Sequence, residues 1–180
     1  MVEVNCDRFH DNGRVRRNVT GDAMRSSREY PERPIVGIGG VLIHEGRALL
    51  IRRGSEPLLG QWSIPGGSLE LAETLREGVA RELLEETGVV VRVGEMIEIF
   101  ERIFLETPAR MVEGVARPRY HYVIVDYLCE WVSGEAKAGG DAVEVVWAEE
   151  GELGKFEMTP TAMRVFGKAF AMWRAGLRGG

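Results

Sequence analysis

At 180 residues, 44% of them hydrophobic, the chain has the size of a single domain with an ordinary core, and its formal charge of −5 lacks the basic excess with which nucleic-acid-coating proteins neutralise phosphates. Its two cysteines, Cys6 and Cys129, are too few for a disulfide framework and have no metal-ligand spacing around them, so zinc is not expected and a reducing compartment, the cytoplasm, is. No apolar run approaches the roughly 18 residues of a membrane span, and the N-terminus lacks the apolar stretch of a secretory signal, so a membrane is not expected as a partner either.

Residues 1–33 read as a polar extension. They are rich in Arg, yet Glu3, Asp7, Asp11, Asp22, Glu29 and Glu32 set them apart from transit peptides, which are poor in acids. Met24 would serve equally well as a start, and residues 1–23 carry no core-forming periodicity. The folded domain is expected over residues 34–177, with 178–180 as a tail. Ile35 to Ile43 reads as a buried strand, turned by Glu45-Gly46 into a hairpin partner from Ala48 to Arg53, and Gly54 to Gly60 as a loop. A helix is predicted from about Ala72 to Thr87, stopped by Gly88. Strands follow at Val89 to Val93, Met96 to Phe104 and Tyr120 to Trp131, the last apolar on both faces as a central strand would be. Glu106 to Pro118 between them reads as a mobile loop. Val143 to Ala148 is a further strand, and Thr161 to Leu177 has apolar residues at helical spacing, Met163, Phe166, Phe170 and Trp173, which suits a core-facing stripe. Strands interleaved with two helices predict an α/β sandwich with a mixed sheet.

The acids of the first helix carry the chemistry. With about 100° per residue and Leu75 set at zero, Ala72, Val79 and Leu83 mark a buried stripe near about 60°, 40° and 80°; Glu82 and Glu86 fall at about −20° and +20°, and Glu85 near about −80°. Glu82 and Glu86 thus point inward. Clustered inward carboxylates repel one another and lose hydration, so they take up protons or gather a cation. A hard divalent ion suits them, since Mg²⁺ takes a few carboxylate oxygens and completes its shell with water and phosphate. Arg81 lies one turn before Glu85 and can hold that carboxylate, whereas Glu73 is too far along the chain for the same argument. Pro65-Gly66-Gly67 makes a turn whose backbone can approach the site closely.

The run from Gly67 through Glu73, Arg81-Glu82-Leu83, Glu85-Glu86 and Gly88-Val89 resembles the complete signature of the Nudix hydrolases, and Gly60 to Pro65 and the strand Ala48 to Arg53 extend the resemblance over roughly residues 34 to 160. Ala72 departs from it, standing where many relatives have Gly, and implies a stiffer loop. The resemblance implies an α/β/α sandwich, a Mg²⁺ or Mn²⁺ ion held by Glu82, Glu86 and Glu85 with the Gly67 carbonyl, and Glu73 and Arg81 orienting those ligands. It implies attack of an activated water on a pyrophosphate phosphorus, with Glu85 the first choice of general base and Glu106 or Glu113 as alternatives. The partner implied is a small nucleotide, ADP-ribose-like before others, acted on by a chain that could work as a homodimer. A nucleoside triphosphate pyrophosphohydrolase acting on oxidised dNTPs is the alternative, and a non-catalytic nucleotide-sensing module a further one. Beyond the signature, Arg53 is a candidate for a phosphate, His121 for the pocket wall, and Trp62 for packing ahead of base stacking. Cys129 is expected to be buried.

Overall fold

The computed structural model describes residues 28–112 and 114–179, so residues 1–27 of the polar extension, with Cys6 and Met24, and the alternative base Glu113 lie outside the described residues. The core strand β1 (Ile35–His44) occupies the middle of the sheet because its apolar residues are buried on both faces. It divides its partners along its length. One edge pairs in parallel with β8 (Tyr120–Ser133) from Ile35 to Leu42, while the other pairs antiparallel with the short β4 (Gly66–Ser68) near its start and turns into β2 (Arg47–Arg53) at its end. β3 (Trp62–Ser63) and β9 (Ala142–Glu149) extend the β2 side, and the long β5 (Val90–Phe104) runs antiparallel to β8 on the other. The result is a mixed seven-stranded sheet.

Helices close both faces. Helix α1 (Leu75–Thr87) buries Val79 and Leu83 against Ile38, Leu42, Val125, Tyr127 and Cys129. Helix α2 (Pro160–Gly179) buries Val165, Phe166, Ala169 and Phe170 against Val41, Ile43, Ala48 and Leu50 on the opposite face. This is the α/β/α sandwich expected from the sequence. None of the described helices is long and apolar enough to cross a membrane.

Several boundaries differ from the sequence reading, each for a local reason. Helix α1 starts at Leu75, because Thr74 caps it: Thr74 Oγ1 accepts from the Glu77 N–H at 3.3 Å while the Glu77 carboxylate accepts from the Thr74 N–H at 2.7 Å, a reciprocal capping box. Ala72 therefore lies outside the buried stripe, exposed, with a left-handed φ of 68°. The two strands predicted at Val89 to Val93 and Met96 to Phe104 are one strand, β5, whose register against β8 shifts at Val90/Val91 and between Val93 and Glu98 without ending the pairing. The stretch read as a mobile loop contains a small hairpin, β6 (Arg110–Val112) with β7 (Val115–Arg117). A 3-10 turn over Glu150–Lys155, absent from the sequence reading, delivers Leu153 to the core. In α2, Met163 sits at the exposed margin, while Ala162, Val165 and Ala169 complete the stripe that Phe166 and Phe170 began.

A left-handed backbone costs a residue with a Cβ roughly 1 kcal/mol, against which Gly loses slightly more entropy on folding. Ala72→Gly is expected to stabilise the protein by about 0.5 kcal/mol, read as a small upward shift of the denaturant midpoint at unchanged slope.

Candidate active site

The division of β1 opens the site. β4 and β2 pair with β1 at different points along it, and Gly66 and Gly67 of β4 lie between β1 and the inward face of α1. The approach is as close as a backbone permits: a Cβ on Gly67 would strike the Glu82 carboxylate, and one on Gly66 would strike the backbone of Ile38 and Gly39. The Gly66 N–H donates to Glu86 Oε2 at 2.8 Å. Glu86 is 4% exposed, and burial, with the Glu82 charge adding to it, pushes its carboxyl up to about 7 against the opposing Gly66 hydrogen bond. Burial likewise raises Glu82, with Arg81 opposing.

Arg81 organises the remaining acids. Its Nε and Nη2 donate to the two oxygens of Glu73 at 3.0 and 2.8 Å, Nη1 to Glu82 at 2.9 Å and Glu85 at 3.3 Å, and Nη2 also reaches the Ser68 carbonyl at 3.3 Å. The Glu73 pair crosses the helix start: the chain turns at Ala72, and Glu73 is further fixed by the Glu70 N–H at 2.7 Å. Arg81 holds the Glu73 carboxyl below its usual range. Glu85 lies at the mouth of the site with more than half of its side chain exposed.

These groups border a cavity of about 790 Å³. Its opposite wall is built by register. β5 and β8 pair Phe100 with Ile124 and Arg102 with Tyr122, and β8 and β1 pair Ile124 with Gly37 and Asp126 with Gly39, so these residues share one face of the sheet. Arg53 lines the cavity, donating from Nε to the Pro57 carbonyl at 2.9 Å while its charge pulls Glu86 downward. His121 does not: successive residues of β8 face opposite sides, and the cavity takes Tyr122, Ile124 and Asp126. Trp62 packs edge-on against Phe156 at 5.1 Å beside the core and is not a cavity residue. Glu106 is engaged by the Tyr30 hydroxyl and lines a separate depression. Cys129 is buried, its thiol pushed up to about 12 by desolvation.

Among the cavity residues that escaped the sequence reading are Phe100, Phe104, Tyr122, Arg102 and Asp126. Asp126 had a signal, a carboxylate inside the apolar run Val123-Ile124-Val125-Asp126-Tyr127-Leu128. It is 2% exposed, its carboxyl is raised to about 7 by burial with Glu98 adding to it, and among the described residues Oδ2 has no hydrogen-bond partner.

The acids fit a hard divalent ion. Glu82 and Glu86 are inward carboxylates held against a backbone without Cβ atoms, and the Arg81 guanidinium and the Gly66 N–H are the hydrogen-bond donors that oppose their desolvation. Among the described residues no three His, Cys, Asp or Glu side chains form a ready-made cage.

A family model described as the NUDIX domain matches residues 33–170. The chain belongs to the Nudix family. Over 122 residues it is 32% identical to the ADP-ribose pyrophosphatase of Methanocaldococcus jannaschii, covering 68% of this chain and 66% of that protein. Over 67 residues it is 48% identical to a MutT-like protein of Streptomyces ambofaciens, covering 37% of this chain and 42% of the relative. The chain thus spans less than two thirds of the length of either. Among solved structures, a MutT Nudix hydrolase of Burkholderia pseudomallei superposes with a TM-score of 0.63 at 26% identity, covering 76% of this chain and 98% of that one.

Because the Glu86 carboxyl is raised from 4.5 to about 7, its contribution favours the folded state below about pH 4.5 and is lost as pH rises through about 7. In metal-free protein, Glu86→Gln is therefore expected to match the parent near pH 4.5 and to exceed it at pH 8 by up to about 3 kcal/mol. Urea unfolding across that range checks the sign.

Proposed function

We propose that the chain hydrolyses the pyrophosphate bond of a nucleoside diphosphate linked to a second moiety, with an ADP-ribose-like substrate favoured and Mg²⁺ or Mn²⁺ as the cofactor. The observation that carries this reading is the pairing of Glu82 and Glu86 against the Gly66-Gly67 backbone at one side of a cavity large enough for a nucleotide. The name of the Methanocaldococcus relative supports the ADP-ribose preference. Cysteine content supports the cytoplasm as the compartment.

Glu82 and Glu86 would hold the ion, with the Gly67 carbonyl and Glu85 available at its margin. When bound, such an ion acidifies a water and neutralises phosphate charge. Arg81 keeps Glu82 and Glu85 from swinging away, and Glu73 keeps Arg81 in place. Glu85, at the solvent edge, is positioned to take the proton of the attacking water. Arg53 binds a phosphate oxygen from the neighbouring wall. Phe100, Phe104 and Tyr122 supply ring faces for the nucleoside half, with Arg102 among them.

Glu86→Gln is expected to lower kcat by more than the roughly 100-fold typical of groups that merely orient metal ligands, because a charged oxygen is lost from the ion itself. Glu77→Gln, on the outward face of the same helix, should stay within about twofold, since Gln can keep the capping box. Equal activity of the two variants on ADP-ribose with Mg²⁺ would overturn the site. A panel of ADP-ribose, NADH, dinucleoside polyphosphates, CDP-alcohols and oxidised dNTPs tests the reaction; turnover of none would favour a nucleotide-sensing module.

Mg²⁺ and a non-hydrolysable diphosphate nucleotide, added together at millimolar levels, are expected to raise the melting temperature more than either alone, because ligands that bind only the folded state stabilise it by mass action. A melting temperature indifferent to both would mean that the site does not form.

A further inference from the structure

Asp126 has no part in the chemistry described above, yet it is the most deeply buried carboxylate on the cavity wall. It reaches the cavity from the middle of β8 and leans over β1: a Cβ on Gly39 would collide with its Oδ1, so the glycine leaves the space the carboxyl occupies. Its lean is toward β4, which pairs with β1 on the far side and carries Gly66 and Gly67 beside the paired glutamates. Its nearest acid across the sheet, Glu98, is held by Arg164 at 3.1 Å and Lys168 at 2.9 Å from α2, and neither cation is shared with Asp126. Oδ2 is thus left fully buried and unpartnered among the described residues, on a residue that lines the cavity together with the helix glutamates, Arg53 and Arg102. Leaving such an oxygen unsatisfied is unfavourable, and a ligand that brings a donor relieves it. Phosphate oxygens bring none; a sugar hydroxyl does.

We propose that Asp126 is a specificity-determining residue whose Oδ2 accepts a hydrogen bond from a hydroxyl of a pentose adjoining the diphosphate. The inference rests on the hydrolase reading and names which part of the substrate the sheet recognises. A site built to hydrogen-bond a hydroxyl discriminates strongly against analogues without it, because the buried acceptor is then stranded.

The test compares the parent with Asp126→Leu, which removes the acceptor at similar size, and Asp126→Asn, which keeps one carbonyl oxygen. Four probes are used with Mg²⁺: ADP-ribose, its analogue lacking the hydroxyls of the adenosine pentose, ADP joined to a simple alkyl alcohol in place of the second pentose, and the hypoxanthine analogue of ADP-ribose. On ADP-ribose, Asp126→Leu is expected to raise KM by about tenfold or more with kcat within about threefold, and Asp126→Asn to raise it less. That penalty should vanish on one of the two pentose-modified probes and persist on the hypoxanthine probe. Binding of ADP-ribose to metal-free protein, followed by calorimetry, should show the same ranking, and unfolding curves should show both variants folded. An equal penalty on all four probes would make the residue structural. A penalty relieved only by hypoxanthine would assign the acceptor to a base amine, and a fall in kcat at constant KM would assign it to the reacting water; each overturns the proposal. So does a parent that neither binds nor cleaves ADP-ribose, although cleavage of another panel substrate would then leave the hydrolase reading standing. If the parent cleaves ADP-ribose and neither variant differs from it, the inference fails alone.

Discussion

The arrangement of acids around the cavity depends on one guanidinium. Arg81 lies among Glu73, Glu82 and Glu85, three carboxylates that would otherwise repel one another at the edge of a low-dielectric interior, and it meets each of them within 3.3 Å. The fork geometry of Arg suits this role, since two nitrogens engage Glu73 while a third turns to the helix acids. With the side chain largely enclosed, these bonds are screened far less than a surface pair would be, and removing one partner would leave a charge without compensation. Glu86 lies outside that arrangement. It has a single backbone donor and the greatest burial, which is why its carboxyl is the most strongly raised of the helix acids.

The sheet contributes space as well as support. Gly37 and Gly39 on β1 present no side chains toward the cavity, so the floor there is backbone, and the neighbouring β8 places Ile124 and Asp126 over it. On the other face of β1 the same absence of Cβ serves packing: Gly40 admits Leu83 and Val79 of α1, drawing that helix close enough for its glutamates to reach past the strand. Catalytic reach and core packing are therefore coupled through one strand, in which Gly37 and Gly39 leave room for the cavity on one face and Gly40 seats the helix on the other.

The periodic elements were legible because each is determined by local pattern. Apolar residues at helical spacing predicted α1 and α2, alternation and β-branching predicted β1, β2, β8 and β9, and the wheel turned Glu82 and Glu86 inward before any fold was known. Errors gathered where a local contact overrides propensity. Thr74 and Glu77 close a capping box that moves the helix start past Ala72, and pairing to a long neighbour makes β5 continuous where Gly94 and Glu95 suggested a break.

What the sequence by itself determined was the family, the α/β/α layering and the identity of the acids on α1, because spacing along a helix converts directly into direction in space. What only the tertiary structure decided was which residues distant in sequence share a face. His121 and Tyr122 are equivalent in a linear reading, and the register of β8 against β1 and β5 sends Tyr122 to the cavity and His121 away from it. Glu73 meets Arg81 only through the left-handed turn at Ala72, and Asp126 is stranded only because three strands and α2 enclose it while Glu98 takes the nearby cations. Such facts depend on strand register and burial, which are set by the packing of the whole chain rather than by any local stretch of it.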